Sequence, residues 1–197
     1  MKHIRAELLG LLEKLVLGVD TRGVIEHSAS FVFTGEEVRT YNDQVAVRFP
    51  LVTEFTGAIE AEKFLKLLRG LEVEELDLSV ADENGEVIIK AGKAEAGLTL
   101  QETSAEWLST LVIPKKWLPL PSNFYTALKM CLLSVAKDLT RPVLSTIHLS
   151  PTRAESCDNY RATRWDLKGP KGPEAAVAGS AVRSFLNTSA THYAVVE

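Results

Sequence analysis

The sequence predicts an α+β protein whose helices lie on one face of antiparallel sheets, and three observations carry that prediction. Apolar spacing switches repeatedly along the chain between a helical period and strict alternation. Glycine-bearing turn signals separate many of the alternating runs, which marks antiparallel neighbours. Helix-then-strands recurs three times and begins a fourth, so each domain reads as a duplicated helix-plus-strands unit. One short amphipathic helix on strands cannot close a core, whereas two such units side by side can.

The first helix spans residues 4–17, where Ile4, Leu8, Leu9, Leu11, Leu12, Leu15 and Val16 recur at helical spacing before Gly18. Phe31 and Phe33 then alternate, Thr34-Gly35-Glu36 turns, and Val45, Val47 and Phe49 alternate again before Pro50. A second helix runs from Glu60 to Arg69, with Ala61, Phe64, Leu65 and Leu68 on one side and Gly70 as its stop. Leu76, Leu78 and Val80 alternate into Asp82-Glu83-Asn84-Gly85, the strongest hairpin signal in the chain, with returning strands at 87–90 and 98–101.

Residues 102–121 change character: Trp107, Leu108, Leu111, Val112 and Ile113 precede Pro114, Pro119 and Pro121, which reads as a domain boundary. Ser122 or Asn123 then caps a helix carrying Phe124, Ala127, Leu128, Cys131, Leu132 and Val135. Strands are expected at 143–149 and 157–167, a loop at 169–173, a short helix at 180–187 and a last strand at 192–196. Thr21-Arg22-Gly23-Val24-Ile25 after the first helix parallels Thr140-Arg141-Pro142-Val143-Leu144 after the third. The arginines are 119 residues apart (141 − 22), and that offset lays Leu9, Leu12 and Val16 on Leu128, Cys131 and Val135.

Composition excludes several function classes. The 197 residues are 46% hydrophobic and 24% charged, a globular balance. Lys and Arg total 22 against 26 Asp and Glu, for a net charge of −4, so the protein does not coat nucleic acid as a strongly basic body, although a local basic surface remains open. Cys131 and Cys157 are too few for a disulfide framework or a tetrahedral zinc site, and Cys131 reads as a buried reduced thiol. The four histidines, His3, His27, His148 and His192, lack metal-ligand spacing. Gly92-Lys93 has no phosphate-loop surroundings, and Asp158 and Asp166 read as surface salt links. No enzyme activity, metal or cofactor is therefore expected. No run approaches 18 apolar residues and no signal sequence opens the chain, so the expectation is a cytoplasmic protein without membrane contact.

Four stretches carry a family likeness: Glu60-Ala61-Glu62-Lys63-Phe64-Leu65-Lys66-Leu67-Leu68-Arg69-Gly70-Leu71, Val87-Ile88-Ile89-Lys90-Ala91-Gly92-Lys93, Thr140-Arg141-Pro142-Val143-Leu144, and Tyr160-Arg161-Ala162-Thr163 through Leu167. In order and spacing they resemble the sliding clamp of bacterial replication, the beta subunit of the replicative DNA polymerase. The resemblance implies DNA-clamp-like domains at 1–118 and 119–197, the second without its last hairpin, and the family's third domain has no counterpart here. The family's Ala-Thr-Asp-Gly-aromatic-Arg-Leu stretch is matched to Ala162-Thr163-Arg164-Trp165-Asp166-Leu167, one residue shorter and without the glycine.

A clamp encircles duplex DNA and tethers polymerase without reading sequence, so it needs a weakly attractive inner wall rather than base contacts. Lys63, Lys66 and Arg69 at i, i+3, i+6 project from one side of the second helix, and the resemblance puts that side on the channel. It also implies DNA contact at Arg22, with Lys137 and Arg183 as second-domain candidates. A pocket for short hydrophobic peptides of polymerase and clamp-loader subunits is implied at Leu144, with Arg141, Thr163 and Leu167 nearby. Six domains per ring would require three two-domain chains joined head to tail. The alternative is a clamp-fold protein-interaction module that does not form a ring.

Overall fold

The computed structural model describes residues 1–20, 22, 25–42, 44–81, 85–103, 114–138 and 140–195. The Asp82–Asn84 hairpin signal, the apolar residues expected in the connector (Trp107 to Ile113), Thr21, Gly23, Val24 and Val196 lie outside them. Two compact units divide the chain, Met1–Thr110 and Leu111–Glu197.

In the first unit, β1 (Lys2–Ile4) leads into α1 (Arg5–Leu15) and a 3-10 turn, Val16–Gly18. Strands β2 (Ser30–Thr34), β3 (Glu37–Tyr41), β4 (Ala46–Pro50) and β5 (Thr56–Glu60) follow, then α2 (Ala61–Gly70) and β6 (Glu75–Ala81), β7 (Glu86–Ala91) and β8 (Ala94–Thr99). They form two antiparallel four-stranded sheets, ordered β4-β3-β2-β5 and β1-β6-β7-β8. An isolated bridge, Ala58 to Gln101, joins β5 to the segment leaving β8. Gly57 permits that approach: it has φ +142°, and an added Cβ would stand 2.7 Å from Leu100 Cδ1.

One core serves both sheets and both helices. Helix α1 contributes Leu8, Leu12 and Leu15, one apolar stripe at i, i+4, i+7, and α2 contributes Ala61, Phe64, Leu65 and Leu68. Phe64 lies 6.5 Å from Phe31 and 6.3 Å from Phe33 between ring centroids, and Phe33 packs 5.0 Å from Phe55. At about 1.5–3 kcal/mol per fully buried large apolar side chain, these residues dominate the unit's stability. Leu76, Leu78, Val87 and Ile89 close the core from the other sheet.

The second unit repeats this order. Its elements are β9 (Leu118–Pro119), α3 (Phe124–Cys131), 3-10 turns at Leu132–Ser134 and Pro142–Ser145, β10 (Thr146–Ser150), β11 (Arg153–Cys157), β12 (Ala162–Asp166), β13 (Ala175–Ala178), α4 (Gly179–Phe185) and β14 (His192–Tyr193). The sheet order β12-β11-β10-β13 matches β4-β3-β2-β5, and β14 pairs antiparallel with β9 as β6 pairs with β1. Among the described residues that second sheet has two strands, where the first unit has four.

A mirrored hydrogen bond sets the residue offset between the repeats. Thr40 Oγ1 donates to the Leu15 carbonyl at 2.7 Å, and Ser156 Oγ donates to the Cys131 carbonyl at 2.6 Å. Both members differ by 116 residues (156 − 40 and 131 − 15), as do Lys2–Asp77 and Leu118–Tyr193 in the β1–β6 and β9–β14 ladders. The offset of 119 is thereby corrected: Leu12 corresponds to Leu128 and Leu15 to Cys131, while Arg22 corresponds to Asp138 rather than Arg141. A slip of three residues is nearly one helical turn, so it keeps apolar residues on the same face and leaves the pattern intact. Two extra residues before β13 raise the offset to 118 in α4, where Val182 takes the buried place of Phe64.

Two expected strands change form. The start of 143–149 is a 3-10 turn, because Pro142 at its first position has a preset φ and no N–H to give a ladder. Ser145 Oγ and Thr146 Oγ1 close it by donating to the carbonyls of Pro142 and Val143, both at 2.8 Å. The run 157–167 is interrupted by a turn at 158–161 that ends β11 and begins β12.

Candidate functional site

The first candidate surface belongs to α2. With Ala61, Phe64, Leu65 and Leu68 committed to the core, Lys63, Lys66 and Arg69 are exposed. Two of the three are already balanced. Lys63 Nζ stands 2.6 Å from Glu60 Oε2, and Arg69 Nη2 donates to Glu13 Oε1 on α1 at 3.0 Å. Lys66 has no ion pair among the described residues. Exposed pairs of this kind are worth about 0–1 kcal/mol, so a phosphate can displace either carboxylate at little cost. The result is a weakly cationic face.

Arg22, 78% exposed at its side chain, is tied to the loop after α1. Its Nε and Nη2 donate to the two carboxylate oxygens of Asp20 at 3.0 and 3.1 Å, and its backbone N–H donates to Oδ1 at 3.0 Å. Those side-chain and backbone donors hold the Asp20 carboxyl below the ordinary carboxylate range.

The second unit contains a cleft of about 530 Å³. The 3-10 turn at Leu132–Ser134 and the segment after it supply Leu132, Leu133, Val135 and Lys137; the next turn supplies Arg141 and Leu144; α4 supplies Arg183. The β11–β12 turn completes it. Asp158 organises that turn by accepting the N–H groups of Tyr160 and Arg161 at 3.1 and 3.0 Å. It also takes the Arg161 guanidinium at 3.0 and 2.9 Å, and these bonds, the guanidinium's first, hold its carboxyl below the usual range. Asn159 adopts φ +74°, a left-handed conformation that Asn tolerates better than most residues.

Three large apolar side chains stand out to solvent on these same segments: Leu133 at 59% exposure, Val143 at 83% and Tyr160 at 95%. Leu144 is half-buried, and its backbone is fixed by Leu144 N–H to the Arg141 carbonyl (3.0 Å) and Ala136 N–H to its own carbonyl (2.8 Å). The cleft thus has a mixed lining, with Leu132, Leu133, Val135 and Leu144 beside charged residues, and the exposed apolar projections at its rim suit contact with another apolar chain.

Arg141 and Leu144 thus share one cleft, and Lys137 and Arg183 join them there. Thr163 and Leu167 are not among its lining residues. Thr163 Oγ1 hydrogen-bonds Ser134 Oγ at 2.7 Å, and Leu167 packs on the second core. The turn residues Asp158, Asn159, Tyr160 and Arg161 were missed as site residues. Asn159 takes the left-handed position of this turn, and Ala162–Asp166 is plain strand. The usable signal was Asn standing where a left-handed residue is required.

Among the described residues no group of three or more His, Cys, Asp or Glu side chains could hold a metal ion. Cys131 is fully buried, and burial pushes its thiol pKa up, away from the thiolate form. No helix among the described residues is long and apolar enough to cross a membrane.

No family model matches the chain, and no curated protein matches it in sequence. Solved structures do. The DNA polymerase III beta chain of Streptococcus pneumoniae has a TM-score of 0.78 at 14% identity, over 94% of this chain and 55% of that one. The DNA polymerase sliding clamp of Bacillus subtilis has 0.77 at 14%, over 100% and 59%. The Helicobacter pylori beta clamp bound to a DNA ligase peptide has 0.74 at 16%, over 97% and 59%. The chain therefore has the bacterial sliding-clamp fold and spans a little over half the length of these neighbours.

Proposed function

We propose that this protein is a sliding-clamp-like processivity factor, which closes head to tail into a ring around duplex DNA and tethers a polymerase without reading sequence. The observation that carries the reading is the conjunction, on a clamp fold, of a weakly cationic helix face with a cleft flanked by exposed Leu133, Val143 and Tyr160. The face attracts phosphates through Lys63, Lys66 and Arg69, with Arg22 as a further contact, and internal pairing keeps the attraction weak enough for sliding. The cleft receives a short apolar peptide of a polymerase or clamp-loader subunit, anchored by desolvation against Leu144 and the residues beside it. Such a tether calls for no catalytic group.

Three chains supply six domains. Light scattering at micromolar concentration is then expected to give about three times the 21.6 kDa chain mass. A strictly monomeric species both free and on nicked circular DNA would refute ring closure.

A further inference from the structure

We infer that the second unit binds single-stranded DNA along a lysine-flanked groove that shares no lining residue with the Leu144 cleft. Charge is divided unevenly between the units. Residues 1–110 carry 11 Lys and Arg against 20 Asp and Glu, a net −9, whereas residues 111–197 carry 11 against 6, a net +5. The groove, of about 540 Å³, is lined by Lys116 and Leu118, by Pro173 and Glu174 of the loop between β12 and β13, and by residues 193–195. Lys168 and Lys171 stand in that same loop, and Lys115 precedes Lys116. All four lysines are exposed, and none has an ion pair among the described residues.

The main chain that carries them is fixed before any ligand arrives. Leu118 pairs with Tyr193, whose hydroxyl donates to the Lys171 carbonyl at 3.1 Å. The Lys168 N–H donates to Asn123 Oδ1 at 2.8 Å, and the Gly172 N–H to the Pro151 carbonyl at 2.9 Å. The internal repeat marks the loop as an addition. Its counterpart between β4 and β5, residues 51–55, has Glu54 and no Lys or Arg, and the second unit's two extra residues fall between Asp166 and Glu174. Trp117, next to Lys116, is 52% exposed. An indole left in water beside unpaired lysines suits a ligand that offers both flat π-faces and regularly spaced anions. A single strand offers both, whereas a duplex keeps its base faces stacked inside and an acidic peptide has charge without bases. The choice of DNA over RNA rests on the processivity-factor reading above, since a primed template presents such a strand beside its duplex.

The test uses the full chain and a fluorescein-labelled 15-nucleotide oligo(dT), with unlabelled oligo(dT), oligo(U), a 15-base-pair duplex and a 15-residue polyglutamate as competitors. Anisotropy at low salt is expected to show binding that unlabelled oligo(dT) displaces best. Lys116→Ala/Lys171→Ala should weaken it at least tenfold and lower the slope of log affinity against log salt by about 1.4, at about 0.7 per phosphate contact. Lys90→Ala/Lys93→Ala, which removes the same charge from the first unit, should leave the slope unchanged. Trp117→Ala should cost about tenfold, and Trp117→Phe should recover most of it, because stacking needs an aromatic face. No binding of oligo(dT), or binding that both the lysine pair and the Trp117→Ala variant leave intact, overturns the inference. Equal displacement by polyglutamate would assign the groove to an acidic protein segment, equal displacement by the duplex would reduce it to plain phosphate attraction, and tighter binding of oligo(U) would assign it to RNA; each also overturns it. A short linear strand is not held by encirclement, so these outcomes are independent of ring closure.

Discussion

Tyr160→Ala separates binding from folding at one residue. At 95% exposure the ring buries almost nothing within its own unit, so truncation should change unfolding free energy by no more than about 0.5 kcal/mol. Its backbone stays put, since the turn is held by Asp158 through main-chain and Arg161 donors rather than by the phenol. On a bound peptide the same ring has about 200 Å² to bury, an upper bound of roughly 5 kcal/mol at 25 cal/mol per Å². Association entropy and side-chain ordering reduce what is realised, and an aromatic anchor typically retains about 2 kcal/mol, or roughly 30-fold in affinity. Anisotropy titration with a labelled short peptide that carries an apolar anchor, alongside denaturant unfolding, measures both quantities. A variant that binds like the unmodified protein, or one that loses several kcal/mol of stability, would refute the reasoning.

Three other perturbations reach different parts of the structure. Phe64→Ala removes a fully buried ring between Phe31 and Phe33 and should cost about 3–5 kcal/mol in chemical unfolding, a loss below about 1 kcal/mol being incompatible with the core described. His3 is held below its ordinary pKa by burial and by the Met1 ammonium group, so the unfolded chain binds the proton more readily; stability should fall as pH drops below about 6.5, and His3→Gln should flatten that slope in thermal melts, whereas a rise on acidification would contradict the assignment. Glu13→Gln releases Arg69 from its partner and should tighten DNA binding and steepen its salt dependence, while Lys66→Ala should lower the salt slope by about one; unchanged slopes in both would show that α2 does not meet phosphate.

The long apolar patterns were legible in the sequence because burial and periodicity coincide there. Leu8, Leu12 and Leu15, and Ala61, Phe64, Leu65 and Leu68, are core residues in both pattern and structure. Short elements were not. β1 is three residues long and merged with the helix behind it, and β13 is built from Val177 and three alanines, Ala175, Ala176 and Ala178, which carry little strand propensity. Pro142 turned a β-branched run into a 3-10 turn, an outcome its fixed φ allows but the alternation hides. Arg141 and Leu144, paired only through the family resemblance, line one cleft, whereas the turn at 158–161 that also lines it carries no glycine to mark its left-handed position, which Asn159 takes. Ion pairs such as Arg69–Glu13 join residues 56 positions apart and leave no trace in local spacing.

Retention on circular DNA distinguishes a ring from a surface binder. The protein is loaded onto a nicked circular plasmid, free protein is removed by gel filtration in moderate salt, and the plasmid is then cut once. A ring stays with the circle and runs off the free ends within minutes of cutting. A protein that leaves the circle as readily as the line, or remains on both, is not encircling the duplex.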